Sequence, residues 1–91
     1  MDQKGVDSPR FCALIPAYNL SQSISEVVCR TREHLRGILV VDDGSQDDTA
    51  RLAKKSGAKV LRIAKNQGKG WALRSGFKRL LEKPWEWTAG E

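Results

Sequence analysis

The chain has 91 residues, of which 40% are hydrophobic and 30% are charged, a balance typical of one small soluble domain and not of a disordered segment. No apolar run is long enough to span a bilayer, and residues 1–10 lack the apolar core of a signal peptide, so we expect a flexible N-terminal tail and a cytoplasmic protein. The net charge of +5 divides into −3 over residues 1–50 and +8 over residues 51–91. The basic half either forms solvated helix faces or attracts an anion, which could be a diphosphate, a lipid phosphate, an anionic membrane surface or nucleic acid.

The two cysteines, Cys12 and Cys29, do not have the spacing of a metal-ligand pair, and the single histidine, His34, has no obvious partner. Cysteines of a cytoplasmic protein normally stay reduced. We therefore predict two reduced cysteines that pack in a strand and in a helix.

The first predicted elements are a strand and a helix. Residues 11–15 are apolar and suit a buried strand, which Pro16 is predicted to end because proline closes the ladder. Ser23 and Glu26 form a capping-box pattern at a helix start, and Gly37 is predicted to end this helix. Its apolar stripe consists of Ile24, Val27, Val28, Thr31 and Leu35.

The clearest strand covers residues 37–41. Its four consecutive aliphatic residues indicate burial on both faces, as in a parallel sheet covered by helices. Residues 42–45 are predicted to form a turn at the end of this strand. A second helix is predicted over residues 46–56, with Ser45 and Asp48 placed to cap its start.

A third strand is predicted over residues 58–63, and a third helix opens near Gly68. The apolar face of that helix comprises Ala72, Leu73, Gly76, Phe77, Leu80 and Leu81. Three strands alternating with three helices predict an α/β fold with a parallel sheet and right-handed crossovers. The segment with Trp85 and Trp87 breaks the third helix where a fourth strand is due, so we interpret residues 11–91 as a domain that is truncated at its C-terminal end.

Three segments with binding chemistry follow the predicted strands: residues 16–19, 42–45 and 66–70. In an open α/β sheet, ligands bind at the carboxyl ends of the strands, so the segments are expected on one rim. Tyr18 can stack on a base, paired carboxylates can accept from a base or ribose, and the glycine-flanked Lys69 can meet phosphate. Taken singly, each segment also has a structural explanation: a tyrosine that caps the core, a turn with a helix cap, and a plain glycine loop.

The common phosphate-binding motifs do not fit this chain. A P-loop that ends at Lys69 would need glycine at Ile63 and a hydroxyl residue at Gly70, and a dinucleotide fingerprint would need glycine at Leu73. The chain also lacks a Ser/His/Asp or Cys/His set for nucleophilic catalysis. These observations argue against an NTPase and against an NAD-dependent dehydrogenase.

Residues 13–19, 40–49 and 66–76 together resemble the opening of family-2 glycosyltransferases, and most of all the dolichol- or polyprenyl-phosphate sugar transferases. The resemblance covers residues 11–91 in order and spacing. It implies the Rossmann-like N-terminal half of a GT-A-type fold and the inverting transfer of a sugar from a nucleotide diphosphate donor. The implied acceptor is a polyprenyl phosphate at a membrane surface, and the implied location is the cytoplasm or the cytoplasmic face of a membrane.

The resemblance also implies a set of nucleotide-binding residues. In that family Pro16, Tyr18 and Asp43 would line the base and ribose. Asp42 would support them, and Lys69 would sit near the nucleotide. The full implied set is Pro16, Ala17, Tyr18, Asn19, Asp42, Asp43, Gly44, Lys69 and Gly70.

No catalytic residue and no metal ligand is assigned within the chain. The family resemblance implies a Mg or Mn ion, held by an Asp-x-Asp motif on the strand due after Glu91, which neutralises the leaving diphosphate. The acceptor site and the catalytic base are expected there as well, so we expect this part alone to be inactive. Leu20 follows Asn19 where the family usually has an acidic residue, which bears on one expected ribose contact.

The alternative interpretation is a non-catalytic nucleotide-binding or regulatory module with the same fold. Nucleic-acid binding is not expected, because the basic residues of the second half are not interleaved with stacking aromatic residues.

Overall fold

A computed structural model describes residues 12–82 of the protein. The elements in chain order are β1 Cys12–Ala17, α1 Ile24–Arg32, β2 Gly37–Asp43, α2 Thr49–Lys55, β3 Lys59–Ile63 and α3 Lys69–Glu82. The predictions for the N-terminal tail, for Phe11, for Trp85 and for Trp87 fall outside the described residues. Between residues 12 and 82, no helix is long and apolar enough to cross a membrane.

The three strands form one parallel sheet in the order β1-β2-β3. Cys12 of β1 pairs with Gly37 of β2, and Leu39 of β2 pairs with Lys59 of β3. All seven residues of β2 are buried. The predicted α/β fold with a parallel sheet is therefore confirmed. β2 is the central strand because it pairs with β1 and β3, and its aliphatic run is buried because helices cover both faces of the sheet.

The alternating side chains of β2 supply two separate hydrophobic clusters. Ile38 and Val40 belong to the cluster that also contains Ile24 and Val28 of α1 and Ala53 of α2. The second cluster contains Leu39 and Val41 of β2 together with Ala72 of α3. Side chains of a strand point alternately to its two faces, so this partition places α1 and α2 on one side of the sheet and α3 on the other.

Strand β1 is longer than the sequence predicted. Pro16 does not end it, because Pro16 pairs with Val41 and Ala17 pairs with Asp42. Proline is tolerated on edge strands, where its missing N–H is not needed by a neighbour, and β1 is an edge of the described sheet. Pro16 and Ala17 therefore extend β1 to the carboxyl end of β2.

The predicted caps do not form. Ser23 is the N-cap residue of α1, but its side chain makes no capping hydrogen bond, and Glu26 instead pairs with Arg30 at 3.0 Å. Helix α1 ends at Arg32, well before Gly37, which is the first residue of β2.

Helix α2 begins at Thr49, later than predicted, with Asp48 as an N-cap residue whose side chain does not cap. The Asp48 carboxylate pairs with Arg51 at 2.8 Å, and the Ser45 hydroxyl bonds a different loop. Residues 46–48 therefore stay outside the helix, because their turn is held by contacts to another segment and not by helix caps.

Several side chains predicted to pack are exposed. On α1, Ile24 and Val28 are buried, but Val27 and Cys29 are exposed, so Cys29 is not a packing cysteine. On α3, Ala72 and Gly76 are buried, whereas the side of the predicted apolar face that contains Phe77 and Leu81 is exposed. The buried stripe of each helix is thus narrower than its apolar pattern suggested.

Candidate functional site

The carboxyl ends of the strands and the loops after them enclose a pocket of about 460 Å³. Its lining residues are Pro16, Ala17, Tyr18, Leu20, Asp43, Asn66, Gly68, Lys69 and Ala72. Of the predicted nucleotide-binding residues, the pocket brings together Pro16, Ala17, Tyr18, Asp43 and Lys69. Their binding role stays a prediction, but the expected placement on one rim agrees with this geometry.

The Asp43 carboxylate is the polar centre of the pocket wall. Although Asp43 is only 3% exposed, it lines the pocket from the last position of β2. Its Oδ1 accepts the N–H of Gln67 at 2.8 Å, and its Oδ2 accepts the N–H of Gly68 at 2.8 Å. The amide Nδ2 of Asn66 donates to Oδ2 at 3.1 Å. A carboxylate has about four acceptor positions, and these donors occupy three of them, two on Oδ2 and one on Oδ1.

The loop after β3 lies directly on the turn after β2. A Cβ atom on Gly44 would lie 2.5 Å from the backbone nitrogen of Asn66, and Gly44 has a φ of +75°. Only glycine combines that backbone conformation with so close an approach. Gly44, which was predicted as a ligand residue, therefore contributes by letting the Asn66 loop reach Asp43.

Asp42 does not line the pocket. Its side chain is fully buried, and its Oδ1 accepts the N–H of Ser45 at 3.0 Å. Its Oδ2 has no hydrogen-bond partner among residues 12–82, and Arg62 Nε lies 3.7 Å away. Arg62 also donates to the carbonyl oxygen of Ser45 at 2.9 Å. Asp42 thus holds the turn after β2 and is placed to support the pocket without reaching a ligand there.

The loop after β1 is bound to the turn after β2 by several hydrogen bonds. Asn19, at a φ of +52°, donates its N–H to Ser45 Oγ at 2.8 Å and accepts the N–H of Gln46 at 2.9 Å. The N–H of Leu20 donates to Thr49 Oγ1 at 2.8 Å. Asn19 is therefore a connector between loops, which fixes the chain on either side of it, including the neighbouring Tyr18.

Asp47 completes that connection. It accepts the N–H of Ser21 at 3.2 Å, the N–H of Thr49 at 3.0 Å and the hydroxyl of Thr49. The hydroxyl hydrogen bond is the main cause that lowers the pKa of Asp47 from 3.8 to about 2. Asp47 therefore stays ionised across the physiological range and remains an acceptor for these donors.

The remaining predicted residues lie at the mouth of the pocket. Tyr18 is 46% exposed, so its ring does not cap the core. Lys69 is exposed at the first position of α3, which follows Gly68 with its φ of +98°. A Cβ atom on Gly70 would meet nothing within 4 Å, and Gly70 does not line the pocket. The mouth therefore presents an aromatic ring and a cation, with the carboxylate behind them.

The described residues contain no cluster of side chains that would hold a divalent cation by themselves. Among residues 12–82, no three His, Cys, Asp or Glu side chains lie close enough to hold a metal ion. The Asp43 carboxylate, the only one in the pocket lining as described, is engaged by three N–H donors.

The sequence did not assign four of the lining residues: Leu20, Asn66, Gly68 and Ala72. Asn66 and Gly68 belong to a segment that the sequence did single out, so their polar and glycine character was an available signal. Leu20 and Ala72 are apolar residues that only the folded arrangement brings to the pocket.

The family described as glycosyl transferase family 2 matches residues 12–85 of the chain. The glycosyltransferase AglJ of Haloferax volcanii is 36% identical over 75 residues, which are 81% of this chain and 24% of that protein. A dolichyl-phosphate beta-glucosyltransferase of Drosophila melanogaster is 34% identical and is matched over 78% of this chain and 28% of that protein.

Among solved structures, the crystal structure of a mycobacterial protein matches with a TM-score of 0.60 and 27% identity. The match covers 68% of this chain and 24% of that chain. This chain spans about a quarter of the length of these three proteins.

Proposed function

Because the chain belongs to glycosyl transferase family 2, we propose that it forms the donor-nucleotide-binding part of an inverting sugar transferase. The proposed donor is a nucleotide diphosphate sugar, and the proposed acceptor is a polyprenyl phosphate at the cytoplasmic face of a membrane. The observation that carries the proposal is the pocket at the carboxyl ends of the strands, where Tyr18, Asp43 and Lys69 meet. Ligands of open α/β sheets bind at this rim.

Each of the three residues has a chemical role toward a nucleotide. The exposed ring of Tyr18 provides a face on which the base stacks. The open acceptor position on Asp43 Oδ1 takes an N–H of the base or a ribose hydroxyl. The ammonium group of Lys69, next to the first turn of α3, attracts the diphosphate.

The chemical step itself is assigned to other parts of the protein. A Mg or Mn ion, when bound, would neutralise the charge that develops on the leaving diphosphate. Its ligands, the catalytic base and the acceptor site are proposed to lie outside the described residues. The contribution of this chain is to bind the nucleotide and to orient it at the rim.

The test is a calorimetric titration of the protein with UDP, GDP and the corresponding nucleosides. We expect one nucleoside diphosphate to bind. Tyr18→Ala should lower the affinity for that nucleoside diphosphate and for its nucleoside, because the base loses its stacking partner. Lys69→Ala should lower the affinity for the nucleoside diphosphate only, because the ammonium group of Lys69 contacts phosphate and not the base. Trp71→Ala is the matched control, since Trp71 is an aromatic residue of similar exposure, 48%, outside the pocket.

Two results would contradict the proposal. One is a protein that binds none of these nucleotides. The other is a Tyr18→Ala variant that binds them as the parent does.

A further inference from the structure

Asn66 makes a contact that the proposed function does not use. Its Nδ2 donates to two oxygen atoms of one residue, the backbone carbonyl of Asp43 and the carboxylate Oδ2, at 3.1 Å each. Gln67 and Gly68 donate to the same carboxylate from their backbone N–H groups, whereas Asn66 donates from its side chain. The amide therefore links the end of β2 to the loop after β3 and touches the carboxylate that faces the pocket.

We propose that Asn66 is a positioning residue for the nucleotide, which acts by fixing the rotation of the Asp43 carboxylate. This inference rests on the proposed function, because it concerns the same pocket. With Oδ2 held by Asn66 and Gly68 and Oδ1 held once by Gln67, the carboxylate presents its remaining acceptor position from Oδ1. Hydrogen bonds to an ionised carboxylate are stronger than neutral ones, so the amide restrains the group that would receive the base or ribose.

The backbone around Asn66 cannot easily compensate for loss of the amide. The nitrogen of Asn66 already lies against Gly44, so the loop cannot move closer to β2. A substitution at residue 66 therefore acts mainly on the side-chain contact with Asp43, while the N–H donors of Gln67 and Gly68 continue to hold the loop.

Asn66→Asp gives the sharpest test, because it replaces the donor with an acid of nearly the same shape. At high pH the introduced carboxylate would face the Asp43 carboxylate, since Asn66 Nδ2 lies 3.1 Å from Asp43 Oδ2. Two carboxyl groups this close cannot both ionise without a large cost in free energy. At lower pH the introduced group takes up a proton and becomes an O–H donor to Asp43 Oδ2, which restores the lost hydrogen bond. The affinity of this variant should therefore rise as the pH falls.

Four ionisable groups lie around Asn66 in the described part of the chain. The ionisable groups around it are Asp43 on β2, Tyr18 at the end of β1, and Lys65 and Lys69 on either side of the loop. The single histidine, His34, lies beyond the end of α1 and not in the pocket lining. Histidine is the residue whose ordinary pKa falls between about pH 5 and pH 8, so the parent should show a nearly flat profile there.

The experiment titrates the protein with the nucleoside of its preferred nucleotide, which carries no phosphate to titrate, at several values between about pH 5 and pH 8. We expect Asn66→Asp to bind at least about 10-fold more weakly than the parent at high pH and to recover most of that loss at low pH. Asn66→Ala should bind the nucleoside weakly at every pH, because alanine has no group to protonate. Ala64→Asp, which adds the same charge at an exposed position of the same loop, should follow the parent.

Each result decides the matter. Parent-like affinity in both Asn66 variants, or a loss in Asn66→Asp that does not recover at low pH, would overturn the positioning role. A parent that binds no nucleoside or nucleotide would contradict the proposed function as well, whereas the first two results leave nucleotide binding intact. Thermal unfolding of Asn66→Asp at both ends of the pH range is the control for folding. Equal melting temperatures there would show that the affinity recovered at low pH does not come from refolding.

Discussion

Two adjacent carboxylates at the end of β2 illustrate how strongly the surroundings of a residue set its role. Asp42 is fully buried, holds the N–H of Ser45 and lies near Arg62, so it serves the turn. Asp43 faces the pocket while it anchors the loop that contains Gln67 and Gly68. The second aspartate therefore combines a structural role with the proposed ligand role, and its substitution should affect both.

At the residue scale we predict the effect of Asp43→Asn. The amide keeps one acceptor oxygen, but its NH₂ group faces an N–H donor of Gln67 or Gly68, so the loop loses a hydrogen bond and the pocket loses a charge-assisted acceptor. Nucleoside diphosphate affinity should fall by about 1.5–3 kcal/mol, and the melting temperature should fall as well. Asp48→Asn, on an exposed residue paired with Arg51 outside the pocket, is the control for removing a charge.

Calorimetry at a temperature well below the melting transition separates the two effects of Asp43→Asn. A variant that melts earlier but binds like the parent would mean that Asp43 is a loop anchor only. In that case the proposed contact between Asp43 and the base or ribose would be abandoned.

Helix α3 packs tightly against the sheet at Gly76. A Cβ atom there would lie 2.4 Å from Leu14 Cδ1 and 2.9 Å from Val41 Cγ2. Because Val41 is part of the buried cluster with Leu39 and Ala72, these side chains have little room to move away. The absence of a side chain at Gly76 is thus a packing requirement, which sets the position of α3 and with it the position of Lys69 at its start.

At the element scale we predict opposite effects of the same substitution at two positions of α3. Gly76→Ala should destabilise the protein by about 1–3 kcal/mol through overpacking against β1 and β2. Gly70→Ala, where the new methyl group meets nothing within 4 Å, should raise stability by up to about 1 kcal/mol, since alanine loses less backbone entropy in a helix. Denaturant unfolding of both variants measures the difference, and equal effects would show that the close approach at Gly76 is not present in solution.

The described part of the molecule has exposed sheet edges and exposed apolar side chains in addition to the pocket at the rim. β1 and β3 are the edges of the described sheet, and α3 exposes Phe77 at 58% and Leu81 at 81%. The chain also spans about a quarter of the length of the relatives that it matches. Because the chain matches only this part of its relatives, nucleotide binding and sugar transfer are tested separately.

At this scale we expect the 91-residue chain by itself to bind a nucleoside diphosphate and to transfer no sugar. Its sequence has no Asp-x-Asp motif, and the described residues do not group three metal-ligating side chains. The measurement is sugar transfer to a polyprenyl phosphate with Mg²⁺ or Mn²⁺ present. Turnover above background would show that this chain holds the whole catalytic apparatus.

The sequence by itself determined the order of the strands and helices, the parallel sheet, the family and the rim on which the pocket lies. These features follow from local signals, because aliphatic runs, helical spacing and turn residues act over short stretches of chain. The sequence also indicated Tyr18, Asp43 and Lys69 as candidate residues.

Only the tertiary structure decided which of these side chains reach the pocket and which hold other loops. Asp43 and Asn66 are 23 positions apart, and Asn19 and Ser45 are 26 apart, so no local pattern relates them. For the same reason the predicted helix caps were wrong: Ser45 bonds the loop after β1 instead of capping α2. A polar side chain forms its hydrogen bond with whichever partner the fold brings within reach, and that partner is fixed only when the sheet has assembled.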